Sequence, residues 1–174
     1  MVEWTGGHMP ESPAIAELKA ALLAAVPLLS PAKLGTTRPD GSRHDAGLAM
    51  DIMLDSRKID EKAVADQIIE AVVNLQPIMQ WSDILYTDWV NGAPVFFHIP
   101  GAPPFGGPNR MLNKNPNNNR KLGMDHLNHV HIDWWTGNAT ALPASSNTIG
   151  FRASLVGELQ RPPTWLVDYM RTIP

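Results

Sequence analysis

Ser42-Arg43-His44-Asp45-Ala46-Gly47-Leu48-Ala49-Met50-Asp51 is the stretch around which the chain organises. Pro39-Asp40-Gly41-Ser42, overlapping its start, has the residues of a turn, and Leu48 to Leu54 alternates as a strand with two faces. His44 on the turn and Asp51 on the strand are expected to reach a common point, because Gly47 permits a bend or a close backbone passage and Ala49 leaves space. Far downstream, Asp125-His126-Leu127-Asn128-His129-Val130-His131 ends in two histidines one residue apart. Residues two apart on a strand share a face, so His129 and His131 point the same way. Only one of them is needed as a ligand, while the other lines the cleft. Two imidazoles and one carboxylate leave a tetrahedral zinc ion with an open position, where a water is acidified towards neutral pH.

Outward from these motifs the chain reads as one domain over residues 1–174. Lys33 to Arg38 has the pattern of a short strand. Ile84 to Val90 and Pro94 to Ile99 read as strands joined at Asn91-Gly92, a dipeptide suited to a tight hairpin, and His129 to Trp135 reads as another strand. Two helices are predicted. Pro13 to Leu29 carries Ile15, Leu18, Leu22 and Val26 at helical intervals, with Ser12 as N-cap; Asp60 to Leu75 carries a stripe of Val64, Ile68, Val72 and Leu75 that stops at Pro77. A short helix is expected at Thr164 to Arg171, after Pro162-Pro163. The Pro, Gly and Asn stretch from Pro100 to Asn119 cannot be a regular element and is expected to border the site. Residues 1–10 are expected to be flexible or tag-derived, with Gly7-His8-Met9 read equally as a cloning scar or as native sequence. The predicted fold is α+β: a small, mainly antiparallel sheet carrying the metal ligands on adjacent strands, flanked by helices.

Composition narrows the chemistry. The 174 residues are 44% hydrophobic and 18% charged, with 14 Lys+Arg against 17 Asp+Glu, which is enough apolar matter for a core and the wrong charge balance for a broad nucleic-acid surface. With no cysteine, thiolate nucleophiles, disulfides and Cys-zinc ribbons are excluded, so a metal must be held by His and carboxylate. No run approaches the roughly 20 apolar residues of a membrane span. Ala14 to Leu29 is interrupted by Glu17 and Lys19 and reads as a folded helix and not as a signal peptide.

In combination, the HxxxxxxD spacing of His44 and Asp51 and the HxH of His129 and His131 resemble the LAS group of zinc metallopeptidases. That group joins D-Ala-D-Ala carboxypeptidases and related endopeptidases, the penicillin-insensitive murein endopeptidase, and the hedgehog N-terminal domain. The resemblance covers about Arg38 to Trp134, and its specific part is the two short motifs. It implies one zinc ion per chain on His44, Asp51 and His131, with His129 a non-ligand beside the reacting centre that orients the substrate or meets its oxyanion. Many members carry an acidic residue three before the last zinc histidine, where this chain has Asn128. Asp125 and His126 are the replacements available as general base, and both stay open. Arg38 matches an upstream arginine that family members use to hold a substrate carboxylate or polarise its carbonyl; otherwise it is a surface arginine beside a turn.

Ser42 is a candidate for substrate contact or for capping the turn. Asp133 alternates with His131 and is a candidate to orient its ring. At least one of Trp134 and Trp135 belongs to the core, and the other is a candidate floor for the cleft. His8 and His98 stand outside both motifs and carry no assigned role. The resemblance implies hydrolysis of bacterial peptidoglycan beside a D-amino acid, in the periplasm or cell wall. An endopeptidase is favoured over a carboxypeptidase, because the long loop before Asp125 suits a branched or cross-linked polymer. Delivery would be that of a phage lysin released through holin lesions or of an interbacterial toxin carried by a secretion system, the latter with an immunity protein or inhibitor as partner. Two alternatives are a non-catalytic zinc-binding module of the same fold and a His-metal nuclease, the second at odds with the net charge of -3.

Overall fold

The computed structural model describes residues 9–36, 42–90, 93–100, 126–134 and 148–161. Its centre is a five-stranded, fully antiparallel sheet with strand order β1-β2-β5-β3-β4, where β1 is Leu34–Gly35, β2 Ala49–Ile52, β3 Trp81–Val90, β4 Ala93–Pro100 and β5 Val130–Trp134. Helices α1 (Pro13–Ala25), α2 (Ile59–Asn74), α3 (Gln76–Met79) and α4 (Thr148–Leu159) accompany it. The expected α+β class is therefore the observed one.

Each element follows from its residues, with informative departures. Ser12 caps α1, its Oγ accepting the Ile15 N–H at 3.4 Å, and Pro13 starts the helix. The helix ends at Ala25 and not at Leu29, because Pro27 pushes Val26 into extended backbone, φ -117° and ψ 98°. Pro77 does not end helical structure after α2. It sits in the first turn of α3, where its missing N–H costs nothing, and the left-handed Gln80 (φ 51°) terminates that helix. Lys33 closes a 3-10 turn, so the strand expected from Lys33 shrinks to Leu34 and Gly35 in the described part.

In β2 the sequence alternates but the burial does not: Ala49, Met50, Asp51 and Ile52 are all buried, because both faces of the strand are covered. Met50 and Ile52 join Ile84, Tyr86, Val130, Ile132 and Trp134 against α1, α2 and α4. The indole N–H of Trp81 donates to the Val72 carbonyl of α2, and that of Trp134 to the Met79 carbonyl of α3, which fixes this face as the helix side. The hairpin falls as expected, Val90 pairing with Ala93 across Asn91-Gly92. Helix α4 was not anticipated: Gly150 and Gly157 weaken its local signal, yet Phe151 and Leu155, one turn apart, are fully buried. The expected helix at Thr164 to Arg171 and the stretch 101–119 lie outside the described residues.

Strand β3 carries a bulge with a directional effect. Trp81 pairs with Trp134 and Asp83 pairs with Asp133, so Ser82 is an extra residue on β3. Residues 81 and 83 of a regular strand share a face, whereas 133 and 134 do not. The bulge switches the parity, sending Trp81 to the helix side and Asp83 to the opposite face, together with Asp51, His131 and Asp133.

Candidate metal centre

His44 belongs to a tight loop whose backbone is fixed before its side chain acts. Ser42 Oγ accepts the His44 N–H at 3.2 Å, Gly47 N–H donates to the His44 carbonyl at 3.0 Å, and Leu48 N–H to the Arg43 carbonyl at 2.8 Å. Ser42 thus caps the turn, one of the two roles open to it. Gly47 has φ +66°, and a Cβ on it would collide with the Pro10 carbonyl oxygen, so both conformation and space demand glycine. Residues 9–12 strap this loop through Met9 N–H to Asp45 O and Ser12 N–H to Gly47 O.

Asp51 on β2 lies directly opposite His131 on β5. Three donor atoms converge: His44 Nε2 is 3.3 Å from His131 Nδ1 and 3.3 Å from Asp51 Oδ1, and His131 Nδ1 is 2.7 Å from Asp51 Oδ1. A tetrahedral ion with ligand bonds of 2.0 to 2.1 Å separates its ligand atoms by about 3.3 Å. Two of the three edges match, and the third, a hydrogen bond at 2.7 Å, is shorter than that by roughly 0.6 Å.

The other nitrogen of each ring is occupied by an acceptor. His44 Nδ1 donates to the Thr36 carbonyl at 3.2 Å, and His131 Nε2 donates to Asp133 Oδ1 at 2.9 Å. Once each ring is neutral, these acceptors select the tautomer that aims a lone pair at the shared point; in the metal-free chain His131 Nδ1 instead carries a proton and donates it to Asp51. Asp133 is therefore placed as expected, beside His131. It is steadied by Arg43, whose Nε lies 3.6 Å from Asp133 Oδ2 and whose guanidinium donates to the Trp134 carbonyl at 2.7 Å. Arg43 and the Thr36 carbonyl were not foreseen; Arg43 occupies a free position of the motif, and a backbone acceptor leaves no mark in a sequence.

Electrostatics follow the packing. Burial works against charge on His131, but the Asp133 and Asp51 carboxylates on either side hold its imidazolium, with a pKa raised to about 9. Burial pushes the Asp51 carboxyl up, and hydrogen bonds from His131 and His44 more than reverse this, leaving it well below the usual carboxylate range. Asp51 is thus a permanent anion at the centre of a ring of imidazoles.

A second group of side chains shares His131. His126, His129 and His131 bring one nitrogen each within 4.8 Å of one another, and like His44, Asp51 and His131 they are placed to hold a metal ion. The His126 ring is 4.9 Å from that of His129 and 5.7 Å from that of His131. His129 Nδ1 donates to Asn128 Oδ1 at 2.9 Å, and its Nε2 lies 3.6 Å from Asp51 Oδ1. His126 is buried beside this pair, its carbonyl accepting from Thr87 N–H at 3.1 Å.

One candidate is corrected. Trp134 was a candidate for substrate contact, but its side chain is fully buried on the helix side and bonded to Met79, so it is the core member of the tryptophan pair. Arg38, Asp125, Trp135 and His8 lie outside the described residues. His98, which carried no assigned role, pairs with Asp83 at 2.6 Å. No helix among the described residues is long and apolar enough to cross a membrane. Comparison with protein-family models, with curated proteins and with solved structures finds no match.

Proposed function

We propose that the chain is a zinc-dependent peptidase that hydrolyses a bond of bacterial cell-wall peptide, with an endopeptidase favoured over a carboxypeptidase. The observation that carries the metal part is the convergence of His44 Nε2, His131 Nδ1 and Asp51 Oδ1, each imidazole fixed from behind by an acceptor. Two imidazoles and one carboxylate suit zinc better than magnesium or calcium, which prefer all-oxygen surroundings. Bound there, zinc supplies a Lewis acid for the scissile carbonyl and acidifies water. The cell-wall substrate rests on the likeness of the two sequence motifs to LAS peptidases, and the endopeptidase preference on the long Pro100 to Asn119 stretch.

The chain's own residues supply the remainder. Thr36 and Asp133 orient the rings of His44 and His131, so that once His131 has given up its Nδ1 proton both would present a lone pair to the ion, and Asp51 keeps a fixed negative charge between them. His126, beside the triad, takes the proton of the attacking water and returns it to the departing amine as the C–N bond breaks. Asp125 is the alternative carrier of that proton. His129, held by Asn128, orients the reacting carbonyl next to Asp51. Such an enzyme acts on the wall from the periplasm or from outside, as a phage lysin or an interbacterial toxin.

The test is mass analysis of muropeptides from purified peptidoglycan incubated with the zinc-loaded chain and with a chelated control. New amine and carboxyl ends appearing only with zinc are expected. Zinc retained without any product would leave a non-catalytic zinc-binding module, and digestion of DNA or RNA instead would make it a nuclease.

A further inference from the structure

The sheet face that carries Asp51 and His131 continues past them. Strand register places Asp51, His131, Leu85 and His98 in one row across β2, β5, β3 and β4. The neighbouring row holds Ala49, Asp133 and Asp83. Residues directly opposite in an antiparallel sheet share a face. His98 is two strands from His131, so the two backbones are about 10 Å apart. Leu85 lies between them, half-buried, as an apolar floor.

At the far end stands a His–Asp pair. His98 Nε2 donates to Asp83 Oδ1 at 2.6 Å, with 36% and 22% of the two side chains exposed. In the neutral ring, His98 Nδ1 is then an acceptor, and the second Asp83 oxygen is another. Asp83 also sits directly across from Asp133, a juxtaposition of like charges that costs stability. Arg43 bonds Asp133 and the Trp134 carbonyl. Asp83 faces this way only because the bulge at Ser82 reverses the parity of β3. An apolar residue followed by two acceptors, one of them a carboxylate oxygen, matches an aliphatic stem with a terminal ammonium group.

We propose that Leu85, Asp83 and His98 form a specificity subsite for a substrate side chain ending in an ammonium group, such as a lysine-type residue near the bond that is cut. Leu85 carries the methylene stem, Asp83 pairs with the ammonium, and His98 holds Asp83 while accepting a second N–H. The location of the bond rests on the peptidase proposed above, whereas the recognition of the side chain does not require turnover.

The test therefore separates binding from cleavage. Two blocked peptides of cell-wall composition, identical except for lysine or norleucine, are titrated against the full chain by calorimetry, and their hydrolysis is followed separately. The wild-type chain is expected to bind the lysine peptide at least tenfold more tightly. Asp83→Asn should bring the two peptides together, and His98→Gln should narrow the gap, with the zinc content and norleucine affinity of both variants unchanged. Equal affinity in the wild type, or a preference that survives Asp83→Asn, overturns the subsite even if both peptides are cleaved. A lysine preference lost in Asp83→Asn without cleavage of either peptide supports the subsite and removes the peptidase.

Discussion

Replacing Asp133 by alanine tests how far the metal centre depends on the group behind His131. Asp133 Oδ1 accepts from His131 Nε2 at 2.9 Å, and its side chain is 13% exposed, so the bond is charge-assisted and little screened. Losing a partner of this kind lowers metal affinity 10- to 100-fold, or by about 1.4 to 2.7 kcal/mol. The scaffold should persist, because Arg43 keeps its bond to the Trp134 carbonyl and strand pairing does not use the Asp133 side chain. Protonation modulates the loss. Burial opposes charge on His131 while Asp133 and Asp51 raise its pKa to about 9, so below that pH the wild-type ring must release a proton to bind metal. Alanine relieves this competition, and the deficit should be full near pH 9 and smaller at pH 7. Zinc competition against a chelating dye at both pH values reads both quantities. Asp133→Ala binding zinc as tightly as the wild type at pH 9 would show that the metal site does not depend on Asp133.

Three further outcomes follow from other parts of the molecule. Gly47→Ala places a side chain at φ +66° against the Pro10 carbonyl, so thermal unfolding should show a loss of at least about 1 to 2 kcal/mol together with weaker zinc binding, since the His44 loop shifts; an unchanged midpoint would contradict this. His131→Ala should abolish zinc binding and hydrolysis, whereas His129→Ala should keep most of the metal and slow turnover, as metal analysis and kinetics on both variants will show; loss of zinc from His129→Ala would shift the metal to the second group of histidines. On the helix side, burial pushes the Asp66 carboxyl up to about 6 even though Lys62 pairs with it at 2.6 Å. A carboxyl whose folded pKa is raised contributes stability that is full below pH 4 and lost as the pH rises through 6. Asp66→Asn should therefore gain on the wild type by about 2 kcal/mol in urea unfolding between pH 4 and 7, and a pH-independent difference would count against it.

The sequence carried the parts of this structure that depend on local rules. Ser12 and Pro13 announced α1, Asn91-Gly92 announced the hairpin, and the two motifs offered His44, Asp51 and one histidine of the HxH pair, the likeness to LAS peptidases selecting His131; the fold brings these three side chains within 3.3 Å of one another. What was illegible is what long-range contact decides. Helix α4 contains two glycines and stands because Phe151 and Leu155 are buried against other helices. The role of Trp134 depends on which face of β5 it occupies, and the heading of Asp83 depends on a single inserted residue at Ser82. Thr36 contributes a carbonyl, which any residue type would supply, and Arg43 gains its meaning only when β5 lies beside β2.

One metal ion is expected to sit between His44, Asp51 and His131. Anomalous diffraction at the zinc edge from a zinc-soaked crystal tests it directly. One strong peak is expected within about 2.0 to 2.2 Å of His44 Nε2, Asp51 Oδ1 and His131 Nδ1. A peak held by His126 and His129 instead, or no peak at all, would contradict it.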